Sequence, residues 1–430
     1  MNPKTSKYPR LLTAAMTLLL FAASNMAWAV VDGVAASTFN LTARADYISS
    51  ADGNVHYAWG YANGNGRMQY PGVTMIVNQG DTVTVTLSNE LPVPAPVSMV
   101  FPGQSNVVAS GGTPGLMTSE VLPGGGSVTY SFVAGNPGTY LYHSGSNPAL
   151  QVEMGLLGAL IVRPASPDPL RQAYAHPGTS FDHEYLFLIT EMDPLIHAQV
   201  DAQVMANPAS VPVVDTSAFR PTLWFLNGRN APDVMLDANV PWLPTQPYNC
   251  LPRMHAGEKI LMRVINAGRD LHPLHTHGNN TWLIARDGRL LESAPGMGPD
   301  LAESNFTLRT VPGETYDATF EWTGKGLGWD AYGHAPGDTL APNEYAADHG
   351  KPIPVILPNI QDLSYGAHYS GSPYLGQFGA LPPGQTPQGE NGGYFHMWHS
   401  HNEKEITNDD IFPGGMMTML VIEPAGVTIP

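Results

Sequence analysis

The sequence predicts an all-β protein built from two related β-sandwich domains, and three observations carry that prediction. Gly (45) and Pro (40) make up about a fifth of the 430 residues, charged residues are only 13%, and long amphipathic helical patterns are absent. Short runs that alternate apolar and polar residues, TVTVTL, SVTYSFV and KILMRVI, are separated by Gly, Pro and Asn turns, which marks half-buried strands. The third observation is an internal repeat. GDTVTVTLSN (80–89) has the form of GEKILMRVIN (257–266), YLYHSG (140–145) that of HMWHSH (396–401), and GLLGALIVRP (155–164) that of GMMTMLVIEP (415–424). Equivalent strands recurring in the same order imply two copies of one sandwich.

The elements follow in order. Residues 1–29 read as a signal peptide: Lys4, Lys7 and Arg10 precede the apolar run LLTAAMTLLLFAA, and Ala27-Trp28-Ala29 offers a small-x-small cleavage site near Ala29. The first copy is expected over 30–166 and a Pro-rich linker over 167–182, in and after the stretch PASPDPLRQAYAHPG that begins at Pro164. The second copy is expected over 183–430, with EYLFLIT near His183 as its first strand. Its stretch from Pro312 to Tyr394 is far longer than the matching stretch from Pro123 to Tyr140, so an insertion is expected at about 323–392. A loop of that length is usually functional or loose.

Composition bounds the function. The leader implies a secreted or periplasmic location, and no other run is long and apolar enough for a membrane span. Three of the 19 basic residues and none of the 36 acidic ones lie in the leader, so the formal charge of −17 becomes more negative when it is removed. Such acidity argues against nucleic acid and anionic membrane as partners. The single cysteine, Cys250, excludes a disulfide framework within the chain and reads as a buried or incidental thiol.

Chemistry is carried by histidines. LHPLHTHG places His272, His275 and His277 together, and MWHSH places His399 and His401 near the C-terminus. Alternate residues of a strand share a face, so each His-x-His pair aims two imidazoles at one point. Neutral imidazole is a ligand for copper, zinc, iron and nickel. His396 falls out of phase with His399 and His401 and should point to the opposite face. His176, His183 and His197 lack ligand-like spacing, and His255 precedes a turn and reads as surface. The strand pairs, rather than His334, His349 and His368 in the insertion, are expected to hold the metal. Glu403 and Glu405 read as solvated charges or, less simply, as carboxylates that orient an imidazole.

Together these elements resemble the multicopper oxidases, with two cupredoxin-like Greek-key domains. HPLHTHG is similar to the family's H-P-x-H-x-H-G, and GTYLYHSG, Gln151 and GLLGALIV are similar to its G-T-Y-W-Y-H-S-H…Q…G-L-Y-G-A-L-I-V. The segment FLNGRNAPD (225–233) resembles the opening of a later cupredoxin domain. The resemblance implies copper held by His143, His272, His275, His277, His399 and His401, with zinc or manganese as other candidate ions and one or two ions at most.

The resemblance also shows what is missing. The family's first ligand pair, H-W-H-G, corresponds to Val100-Phe101-Pro102-Gly103, and the second, H-S-H, to His143-Ser144-Gly145. Its type 1 copper needs H-C-H-x-x-x-H, yet Ser400 stands at the cysteine and Glu405 at the later histidine, with His272 kept and Met416 or Met417 near the methionine position. Copper nitrite reductases, the other two-domain cupredoxin family, would need a thiolate where Ser144 stands. Two functional readings therefore remain open: an oxidoreductase with a degenerate site and no assigned catalytic residue, served by a small-molecule reductant, or a non-catalytic metal-sequestering or structural cell-surface protein. Two-domain relatives share the cluster between subunits, so the resemblance also implies a homo-oligomer, typically a trimer, that brings in His143.

Overall fold

The computed structural model describes residues 31–354 and 393–430. Residues 1–29, expected from sequence to be a signal peptide, the later part of the insertion and His368 lie outside the described residues. Each copy of the repeat forms a sandwich of two sheets. In the first, Thr38–Ser49 pairs in parallel with Thr82–Asn89, which pairs antiparallel with Ser127–Val133; Val55–Asn63 and Val108–Gly111 complete a five-stranded sheet. Facing it, Gly138–His143 and Leu157–Arg163 form an antiparallel pair, and Met75–Asn78 lies parallel to the latter. Thr82–Asn89 and Ser127–Val133 bury every second residue, as their alternation predicts. Val83, Val85, Leu87, Tyr130 and Phe132 meet Met75, Tyr142, Leu160 and Val162 in one core.

The second sandwich repeats this plan. His183–Met192 runs parallel to Lys259–Asn266, which pairs antiparallel with Thr315–Glu321. In the facing sheet Tyr394–Ser400 pairs antiparallel with Met417–Glu423, and Arg253–His255 lies parallel to the latter. Phe187, Val264, Phe320, Trp398 and Leu420 fill the core between them. Leu157–Arg163 is buried along its whole length because its second face is also covered. Leu157, Ala159 and Ile161 pack on Leu186, Leu188 and Ile265 of the second sandwich, so the two copies share an apolar contact.

A polar network lies beside that contact. Glu184 accepts from both Arg163 and Arg263, with Arg163 Nη1–Oε2 at 2.7 Å and Arg263 Nε–Oε2 at 2.8 Å. Arg263 also reaches Thr139 Oγ1 at 3.1 Å, and the Asp317 carboxylate accepts from Thr139 and Tyr174 at 2.6 Å each. Two buried cations are thereby set against two buried anions, drawn from both sandwiches.

One element departs from the sequence reading. Pro194–Ala206 is a helix, begun by the Asp193 carboxylate accepting from Leu195 N and by proline in its first turn. Its apolar residues do not form a clean stripe, so periodicity does not reveal it. Ile196, Val200 and His197 bury against the first sandwich, and the His197 ring meets the carbonyls of Tyr57 and Glu153. No helix among the described residues is long and apolar enough to cross a membrane.

Candidate metal centre

The two His-x-His pairs lie side by side. His272–Thr276 pairs antiparallel with Tyr394–Ser400, in a register that sets His275 opposite His399. His277 N donates to Met397 O and His401 N to Pro273 O, which extends the ladder past both strand ends. Because side chains alternate, His275, His277, His399 and His401 all project from the same face. His275 lies at the centre, its ring centroid 4.9 Å from His277, 5.4 Å from His399 and 4.9 Å from His401. Gly278 completes the turn with φ +98°, and a Cβ there would lie 2.9 Å from His396 Nδ1, which explains the glycine of HTHG.

Three of these rings offer ligand atoms that all lie within 4.8 Å of one another: His275, His277 and His399. His277 Nε2 and His399 Nε2 are 3.3 Å apart. Two nitrogens of a tetrahedral ion with bonds of about 2.0–2.1 Å stand about 3.3 Å apart, so this pair has metal-ligand spacing. The distal nitrogens are engaged elsewhere. His399 Nδ1 lies 2.7 Å from the Ser400 carbonyl, to which it can only donate, so its Nε2 carries the lone pair. His275 Nδ1 lies 2.8 Å from Thr307 Oγ1. Such contacts fix the tautomer and the ring direction of a ligating imidazole.

The electrostatics favour ligands over cations. Burial, with smaller contributions from the neighbouring imidazoles, lowers His275 and His277 to about 4. Burial likewise lowers His399. Neutral rings at neutral pH can bind a metal without first losing a proton. His401 is exposed, and its ring stands beside those of His275 and His399 as a fourth donor.

His272 is set apart from this group, contrary to the expectation that it is a ligand. It is fully buried, with Nε2 2.9 Å from Glu191 Oε2 and Nδ1 3.0 Å from Glu405 Oε2. Both nitrogens face carboxylates, which leaves none for a metal. Burial would lower its pKa, but the hydrogen bonds and charges of Glu191 and Glu405 outweigh it and hold the ring up at about 9. Ser400 Oγ donates to the same Glu405 oxygen at 2.5 Å, and Asn402 donates to the other. Glu405 is therefore buried and orients an imidazole, the second of the two roles read from sequence, rather than a solvated charge. At the place where the resemblance expects type 1 copper, the chain builds an imidazolium between two carboxylates.

The first sandwich contributes little to the cluster. His143 lies outside the converging group; burial lowers its pKa, and its Nδ1 meets the Ser144 carbonyl at 2.9 Å. Val100 pairs with His143 across an isolated bridge, and a Cβ added at Gly145 would come within 2.8 Å of Val100 Cγ1. Val100 thus occupies one missing-ligand position and its side chain covers a second, Gly145, while the third, Pro102, is exposed. Ser144 donates to Gln151, so its hydroxyl is already used. Cys250 is buried, with its thiol pushed far above the usual range, and so is inert.

The remaining histidines separate cleanly. His396 faces the core as predicted, its ring centroid 5.6 Å from Trp322, and neither nitrogen has a hydrogen-bond partner among the described residues. His183 and His255 flank Glu258 at 2.8 and 3.1 Å, so His255 is a structural contact at the turn and not a free surface residue. The described part of the insertion packs at the start of the Tyr394–Ser400 strand: Trp329 Nε1 donates to Tyr394 OH, and Asn343 Nδ2 to Gly257 O.

Comparison with known proteins bears on the family. Residues 44–167 match the multicopper oxidase family. That stretch of the chain, within the first sandwich, is similar to a multicopper oxidase domain. Its resemblance to copper resistance protein A of Pseudomonas syringae pv. tomato is 25% identity over 336 residues, 70% of this chain and 50% of that protein. A probable nitrite reductase-hydroxylamine oxidoreductase fusion protein of Kuenenia stuttgartiensis is 26% identical over 265 residues, 60% of this chain and 26% of the other. The chain thus spans between a quarter and a half of the length of these curated relatives. The solved structure of the multicopper oxidase mgLAC shares its fold, with a TM-score of 0.55 at 20% identity, covering 91% of this chain and 87% of the other.

Proposed function

We propose that this is a secreted or periplasmic copper-binding protein of multicopper-oxidase type, in which His275, His277, His399 and His401 hold one or two copper ions and no type 1 copper forms. The observation that carries this reading is the cross-strand register that brings neutral imidazoles to metal-ligand spacing. The donor set fits: several imidazoles suit copper or zinc, whereas manganese prefers oxygen ligands. A bound copper would supply one-electron redox chemistry. Thr307 and the Ser400 carbonyl would orient the ligands, and the Phe306 ring, 5.7 Å from His275, would exclude water on one side.

Electron entry is the part that this chain lacks. A type 1 centre needs a thiolate, and Ser400 is neither ionised near neutral pH nor free of Glu405. His143 of a neighbouring copy in a trimer would add at most one further imidazole per cluster. Copper binding or sequestration without rapid oxygen reduction is therefore the reading we adopt. The test is oxygen uptake by the copper-loaded protein with a phenol as small-molecule reductant. Turnover is expected at least about a hundredfold below that of a laccase assayed alongside, and Ser400→Cys should not restore it. Oxygen-coupled turnover at a laccase's rate would overturn the reading.

A further inference from the structure

The insertion carries a second group of metal-binding side chains that the family resemblance does not account for. Asp330, His334, Glu344 and His349 each offer one ligand atom, and these four atoms all lie within 4.8 Å of one another. His349 Nδ1 stands 2.6 Å from Glu344 Oε1 and His334 Nδ1 2.9 Å from Glu344 Oε2. Both nitrogens also face Asp330 Oδ2, at 3.8 and 3.9 Å. The two carboxylates are almost completely covered, with side-chain exposure of 2% each.

Three features make this more than a chance meeting of polar groups. The His349 Nε2 atom lies 3.0 Å from the Asp338 carbonyl, to which it can only donate. In the neutral ring Nδ1 then carries the lone pair, and that lone pair is aimed at a carboxylate. Two lone pairs facing each other need either a proton on Nδ1 or a metal ion to join them, and a metal ion would use all four side chains at once. Asp330 is in turn fixed by backbone donors, Tyr332 N at 2.7 Å and Gly350 N at 2.6 Å, and its own N–H closes the loop onto Lys351 O at 2.9 Å. Finally, residues 331–350 contain no strand or helix and are mostly exposed, so apolar burial does little to hold them. A closed metal site is a common device for stabilising such a segment.

We propose that Asp330, His334, Glu344 and His349 form a structural site for a divalent first-row cation of the zinc type, separate from the histidine cluster, that clasps the two ends of this loop. Two imidazoles and two carboxylates make a complete four-ligand shell with no open position, which distinguishes a structural site from a catalytic one.

Zinc binding to the full chain tests this, using His275→Ala/His277→Ala as the background so that the strand cluster does not dominate uptake. After zinc loading and dialysis, that chain should retain about one zinc, and adding Glu344→Gln should remove it. Glu344→Gln preserves the side chain's size, so its far-UV circular dichroism should match the background. If His334→Ala/His349→Ala does not fold, Glu344→Gln alone decides. Zinc should also slow proteolytic cleavage within 330–351 by at least about tenfold, and Glu344→Gln should abolish that protection. Equal zinc content with and without Glu344→Gln would overturn the proposal. So would the absence of both zinc retention and protection in the background chain, which would mean that protons alone hold the group together. Neither result would bear on copper at the strand cluster.

Discussion

Glu184→Ala is expected to cost about 3–5 kcal/mol of folding stability, the range for breaking a buried ion pair. The loss comes less from the missing attraction than from what remains. Arg163 and Arg263 are buried on either side of Glu184, and without it two guanidinium charges face one remaining carboxylate, Asp317. Burial alone would raise Glu184, yet Arg263 and Arg163 outweigh it and hold it down at about 2. A depressed carboxylate stabilises the fold at pH above its unfolded value near 4.5, and the contribution is withdrawn as pH falls towards 2. Urea denaturation at pH 7 should show the full loss for Glu184→Ala and a large part of it for Glu184→Gln, which keeps the shape without the charge. A change below about 1 kcal/mol would mean that the network does not join the sandwiches as described.

The second large effect runs in the opposite pH direction. His272 has a folded pKa of about 9 against an ordinary value of 6.5. Its contribution is therefore complete below about pH 6.5 and lost as pH rises through about 9. At 1.36 kcal/mol per unit, the amount at stake is on the order of 3 kcal/mol. Glu191 and Glu405 share the imidazolium, so its deprotonation removes the positive charge that lies between them. Chemical denaturation between pH 6 and 9.5 should show the wild type losing stability relative to His272→Gln, whose dependence should be flatter. Parallel curves for the two proteins would place the ring in its neutral form and remove this part of the account.

What the sequence makes legible is the repeated and periodic part. The alternation in TVTVTL and SVTYSFV predicts the strands because each buries one face, and the repeat predicts that 80–89 and 257–266 occupy equivalent central positions, as they do. The two His-x-His pairs are legible for the same reason. Their register is not: only the folded sheet sets His275 against His399. The fate of His272 is hidden because Glu191 comes from a strand 81 residues earlier, and nothing local marks it as a partner. Glu405 looks like one charge among several on a loop until that loop folds back over Ser400. The Asp330–His349 group escapes because its residues lie in irregular chain, where spacing carries no geometric meaning.

The measurement that bears most directly on the histidine cluster is the absorption and electron paramagnetic resonance spectrum of the copper-loaded chain beside His275→Ala/His277→Ala. The wild type should show a weak ligand-field band and a spectrum with wide parallel hyperfine splitting and nitrogen couplings from imidazole. The double substitution should lose most of that signal while its far-UV circular dichroism is unchanged. An intense blue thiolate-to-copper band, or a copper signal of equal size and shape in the double substitution, would contradict copper held by His275, His277, His399 and His401.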